Sequence, residues 1–196
     1  MFSDDVWRYL PLAPIPTLIV GVAVVALLFL VGLRDSRAVR RLAAVLLAGS
    51  ALAILGLTLS GGDESLGRSV NLHPGAGIRV ELDNVNHALG VVNVLGNLAL
   101  FVPFGWLVAL LALYDPAARA SRGLLRGFMG GLVLSVAVET AQYLLGRSAD
   151  IDDVLLNTGG ALVGAAIGVA LSRIRRSRSS GQVTPRASRE EQLIQA

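Results

Sequence analysis

Apolar residues in this chain occur in long runs rather than in strand-like alternation. Five runs, at about 15–33, 42–59, 91–114, 127–145 and 154–172, approach or reach the roughly 20 residues needed to cross a hydrocarbon core. Pro14 and Pro16 stand at the entry of the first run, where a missing backbone N–H costs least. That run does not read as a cleaved signal peptide, because its leader holds Asp4, Asp5 and a single Arg8 in place of a positive n-region. The pattern predicts an all-α integral membrane bundle of about five transmembrane helices. Segment 1–14 precedes it, and an Arg/Ser-rich tail over 173–196 is expected to be disordered.

Composition sharpens this reading. The hydrophobic set makes up 54% of the 196 residues and charged residues only 16%, against about 25% charged in soluble domains. Mean hydropathy is +0.65. A soluble fold of this length has too little interior for so much apolar surface, and disordered chains are poor in hydrophobics. Cysteine is absent, which excludes disulfides, thiolate metal sites and cysteine nucleophiles.

All 17 basic residues are arginine. They cluster between the apolar runs rather than along a face with interleaved aromatics, so nucleic acid is not the expected partner. Arg34, Arg37, Arg40 and Arg41 follow the first run, and Arg119, Arg122 and Arg126 the third. Arg173, Arg175, Arg176 and Arg178 follow the fifth, whereas the other side carries only Arg8, Arg68, Arg79 and Arg147. By the positive-inside rule the N-terminus lies outside and the C-terminus in the cytoplasm of a bacterial inner membrane. Residues 60–90 then form an outer loop whose Gly, Asn and Pro content argues against regular helix over most of its length.

The polar residues within the runs are not scattered. Asn93 and Asn97 lie one turn apart on the third run, Glu139 and Gln142 at i, i+3 on the fourth, and Asn157 at the start of the fifth. At about 1.5 Å per residue, Asn97 and Glu139 fall roughly 9 Å below the outer ends of their helices. The link from 146 to 153 sets Arg147, Asp150, Asp152 and Asp153 above them. Three helices and one loop are therefore expected to converge on a polar cup, and an ionisable residue inside a span marks a site by default. The competing structural reading, interhelical hydrogen bonding with Glu139 paired to Arg147, applies to each asparagine singly.

Other signals are structural. Gly127, Gly131 and Ser135, and likewise Gly160, Gly164 and Gly168, recur at spacing four and predict close helix approach. Pro103 should kink the third span and free the carbonyl near Ala99. His73 and His87, fourteen apart in a loop, are a weak signal for a metal site even with aspartates nearby. No nucleophile elbow, zinc spacing or phosphate loop is present, so neither cofactor nor metal is expected.

The motif series Asn71-Leu72-x-Pro74, Asn93-x-x-Gly96-Asn97-x-x-x-Phe101-x-Pro103-x-Gly105 and Glu139-x-x-Gln142 resembles that of VanZ-like membrane proteins. It continues with Arg147-x-x-Asp150-x-Asp152-Asp153-x-x-x-Asn157-x-Gly159-Gly160 and covers 71–168 in the family's order. His73 and Gly75 depart from the apolar or aromatic residues the family carries beside Pro74. The family takes its name from a membrane protein of glycopeptide-resistance clusters that lowers susceptibility to teicoplanin.

The expected function is binding or shielding of a cell-surface ligand, such as a lipid-linked wall precursor or a lipoglycopeptide, among membrane lipids. Arg147 would meet an anionic headgroup, while Asn93, Asn97, Gln142 and Asn157 would hydrogen-bond polar parts. The alternative is an intramembrane enzyme on lipid-linked envelope precursors, with Glu139 as general base and Asp150, Asp152 and Asp153 around a divalent cation.

Overall fold

The computed structural model describes residues 36–59, 68–83, 87–114 and 117–181. The first predicted span at 15–33, segment 1–14 and the chain beyond 181 lie outside the described residues. Five helices and one short strand pair follow in order: α1 (Ser36–Leu59), β1 (Val70–Asn71), α2 (Ala76–Asp83), α3 (His87–Ala112), α4 (Ala120–Leu144), β2 (Ala149–Asp150) and α5 (Ile151–Gly181). Among the described residues, four helices are long and apolar enough to cross a membrane, with spans Arg37–Leu59, Gly90–Ala112, Ala120–Leu144 and Ile151–Ile174. The protein is an all-α, multi-pass membrane bundle.

The helices outrun the apolar runs at several ends. α4 begins at Ala120, seven residues before the predicted 127, because Arg122 and Arg126 are good helix formers that need no apolar neighbours. α5 likewise continues to Gly181, past the tail boundary expected at 173, through an Arg/Ser stretch without proline. Within the predicted loop at 60–90, α2 supplies two turns and α3 starts at His87. α3 runs through Pro103 as one continuous helix.

α5 packs chiefly against α3 and then α4, and α1 leans on α3. The core is thin and aromatic-centred: Ile54, Phe101, Phe104, Val138 and Ala161 form one cluster, with Phe101 and Phe104 edge to face at 6.3 Å. Ala43, Trp106 and Leu107 form a second cluster. Large apolar side chains also point outward, as with Leu52 (69% exposed) and Val133. This suits a bundle whose surroundings are hydrocarbon, where helix association rests on close packing rather than on burial from water.

Both glycine rows make that close packing. A Cβ at Gly160 would collide with the Leu98 carbonyl and one at Gly164 with the Val102 carbonyl, so α5 lies directly on the α3 backbone. Gly127 and Gly131 admit the methyl groups of Ala165 and Ala161 in the same way. At the opposite end from the polar cluster, the Arg40 guanidinium lies 5.7 Å from the centre of the Tyr114 ring, joining the start of α1 to the end of α3.

Candidate functional site

The end of α4 determines the geometry of the polar cluster. Leu145 closes the helix, and Gly146 takes a φ of +94°, which favours glycine. The Gly146 N–H then donates to the Tyr143 carbonyl (3.1 Å) and the Arg147 N–H to the Gln142 carbonyl (3.0 Å), a Schellman-type stop. The chain turns back at once, and β2 pairs in parallel with β1, Val70 opposite Ala149 and Asn71 opposite Asp150. This two-residue ladder brings 68–83 onto the start of α5.

Asp150 and Asp152 stitch the junction together. Asp150 accepts from the Asp152 N–H (2.9 Å) in the first turn of α5 and from the Asn71 amide (3.0 Å). Asp152, almost fully buried, accepts from the backbone N–H groups of Gly75 (2.6 Å) and Ile78 (3.0 Å). It therefore caps the N-terminus of α2 from a distant part of the chain, where an adjacent residue normally serves. A Cβ at Gly77 would strike the Asp150 carboxylate, so glycine there lets α2 lie on this pair.

The other predicted residues divide into groups. Asn97 on α3 donates to Asp153 on α5, and Asn93 donates to Glu81 on α2 at 3.2 Å. Gln142 and Arg147 both donate to the carbonyl of Thr58 at the end of α1, at 3.0 and 2.6 Å. Asn157, 3% exposed, donates to the Ser135 hydroxyl at 3.0 Å, while its own carbonyl oxygen finds no partner among the described residues. The nine residues thus gather at one end of the bundle, but most are bonded to one another or to backbone rather than facing an open cup.

Two expectations are corrected. Glu139 does not take Arg147 as its partner; its Oε2 accepts from the Asp150 N–H at 3.0 Å, while the Arg147 guanidinium turns to α1. The three aspartates do not face a common cation, because Asp150 and Asp152 spend their oxygens on separate N–H donors. Among the described residues no group of three His, Asp or Glu side chains converges as a metal site.

Sequence reasoning missed Asn71, Thr58, Glu81 and Ser135 as members of this cluster. Asn71 stood in the motif series and was legible. Thr58 contributes its backbone carbonyl, which carries no residue identity.

Glu139, like Asn157, keeps an acceptor that the fold does not use. It is 7% exposed and its second oxygen has no hydrogen-bond partner among the described residues. The side chain lines a groove of about 210 Å³ with Val136, Thr140 and Tyr143 of α4, Ala149 and Val154. The arrangement can receive a hydrogen-bond donor beside apolar walls.

A helical membrane bundle with a buried carboxylate beside a groove defines a polytopic membrane protein with a polar cluster at one end. The family model described as VanZ/LLP1 matches residues 42–172, well over half of the chain, and the protein belongs to that family. The chain has no match among the curated proteins and none among the solved structures.

Proposed function

We propose that this VanZ/LLP1-family protein binds or shields an amphiphilic cell-surface ligand at the outer leaflet of a bacterial inner membrane. In this reading the N-terminus lies outside, the C-terminus is cytoplasmic, and the polar end faces out. The observation that carries the reading is the unpartnered oxygen of Glu139. Its neighbours Asp150 and Asp152 are saturated by the fold, so a buried carboxylate left half-satisfied at a groove is reserved for something outside the chain. Asn97, Gln142, Arg147, Asp153 and Asn157 act here mainly by holding α1, α3, α4 and α5 around it.

Glu139→Gln tests the reading cleanly. The glutamine carbonyl still accepts from the Asp150 N–H, so the α4–β2 junction keeps its hydrogen bond, while the second oxygen becomes an amide donor. Wild-type protein purified in mild detergent is expected to carry an amphiphile detectable by mass spectrometry. Glu139→Gln should reach wild-type abundance and lose that amphiphile. Equal retention by both proteins would sink the proposal. Teicoplanin susceptibility of cells with and without the protein tests the resistance role separately: protection that vanishes with Glu139→Gln ties that role to the groove.

A further inference from the structure

Tyr143, which lines the groove beside Glu139, carries a cation that the binding reading does not use. Arg68 is exposed, its Nη2 donates to the Leu144 carbonyl at 3.3 Å, and its guanidinium lies 5.8 Å from the centre of the Tyr143 ring. Its remaining N–H donors take no partner among the described residues. Tyr143 is one helical turn from Glu139, a separation of roughly 6 Å along α4. A cation held against Tyr143 and the Glu139 carboxylate therefore flank the same stretch of α4, with Tyr143 and Glu139 both lining the groove. Thr140 lies between them on α4, and beyond Glu139 the groove is walled by Val136 of α4 and Val154 of α5.

We infer that the groove takes a zwitterionic phospholipid bearing a primary amine next to its phosphate, entering sideways from the bilayer. This inference rests on the binding reading above and names the ligand class for the same site. The phosphate pairs with the Arg68 guanidinium, whose forked donors suit phosphate oxygens. The ammonium folds back to donate to the free oxygen of Glu139, and the acyl chains leave along Val136 and Val154. A purely anionic headgroup satisfies only Arg68 and sets its charge toward Glu139. A trimethylammonium headgroup has no N–H to donate. Charge complementarity thus selects the primary amine over both.

The test is competition among three lipids in mixed micelles, read by native mass spectrometry on the full chain. The probes are phosphatidylethanolamine, phosphatidylcholine and phosphatidylglycerol of equal chain length. Wild type is expected to retain the ethanolamine lipid over each of the others by about tenfold, the scale of one charge-assisted hydrogen bond. Glu139→Gln should bring the ethanolamine lipid down to the choline level. Arg68→Gln, at an exposed position that cannot disturb the core, should weaken both zwitterionic lipids and leave their ratio unchanged. Equal retention of all three by wild type, or a preference for the glycerol headgroup, overturns the inference. If Glu139→Gln fails to fold, the wild-type ratios and Arg68→Gln still decide. A different amphiphile held by wild type and lost in Glu139→Gln would reject this lipid class while leaving the binding reading standing.

Discussion

Asp152 accepts from two backbone N–H groups that precede it by 77 and 74 residues, and it does so from a nearly fully buried position. α2 has eight residues, too few to persist without tertiary support. Its first turn depends on this one carboxylate, since Gly75, at φ +84°, has no side chain with which to cap it. Asp152→Ala should therefore cost about 1–2 kcal/mol locally. Amide exchange at Gly75 and Ile78 is expected to speed up by at least several-fold, while α3 and α4 stay protected. Asp152→Asn, which keeps one acceptor, should fall between. Unchanged exchange in the alanine variant would show that α2 is held by other contacts. Glu139 contrasts with Asp152: both are buried carboxylates, but only Glu139 retains an oxygen that the fold does not use.

The helices were legible as apolar runs, and the glycine rows as contact faces, because both signals repeat at helical spacing within one segment. The glycines make a sharp test. Gly164→Ala puts a methyl group into the Val102 carbonyl, and backbone cannot move aside as a side chain can. It should lower stability in detergent by about 1–3 kcal/mol or more. Gly159→Ala, five positions earlier, meets nothing within 4 Å and is expected to be neutral or stabilising by up to about 1 kcal/mol through helix propensity. Thermal unfolding of the two variants side by side checks this, and equal midpoints would show that α5 does not ride on α3. What sequence could not supply was α2 and the partnership of α1. The cap of α2 comes from Asp152 across the fold, and α1 joins the cluster through the Thr58 carbonyl, so neither leaves a local pattern. The Glu139–Arg147 pair of the competing structural reading is absent for a related reason. Opposite charges eight residues apart suggest pairing, but the turn at Gly146 points Arg147 toward α1 instead.

The four described spans alternate in direction, so the ends of α1 and α4 and the starts of α3 and α5 share one end with the strand pair. Arg119, Arg122 and Arg173 lie at the other end. The absence of cysteine allows the orientation to be read with single, nearly isosteric replacements at exposed serines. Ser148→Cys is expected to react with a membrane-impermeant maleimide in intact cells. Ser121→Cys and Ser177→Cys should react only after lysis. The reverse pattern would put the Glu139 groove on the cytoplasmic side and end the outer-leaflet reading. Sequence conveyed the described spans better than it conveyed the site, because an apolar run marks its helix within one segment whereas hydrogen-bond partners depend on how the helices meet.

The ladder joining 70–71 to 149–150 also has a consequence for biosynthesis. Residues 68–83 leave the ribosome long before the acid that caps α2 exists. At about 5–20 residues per second, the 77 residues from Gly75 to Asp152 take roughly 4–15 s to make. During that interval the α2 segment has neither its strand partner nor its cap, although α3 and α4 are already inserting. Completion of the polar end is thereby deferred until α5 begins. A chain that stalls before Asp150 would leave the α2 segment with neither its strand partner nor its cap.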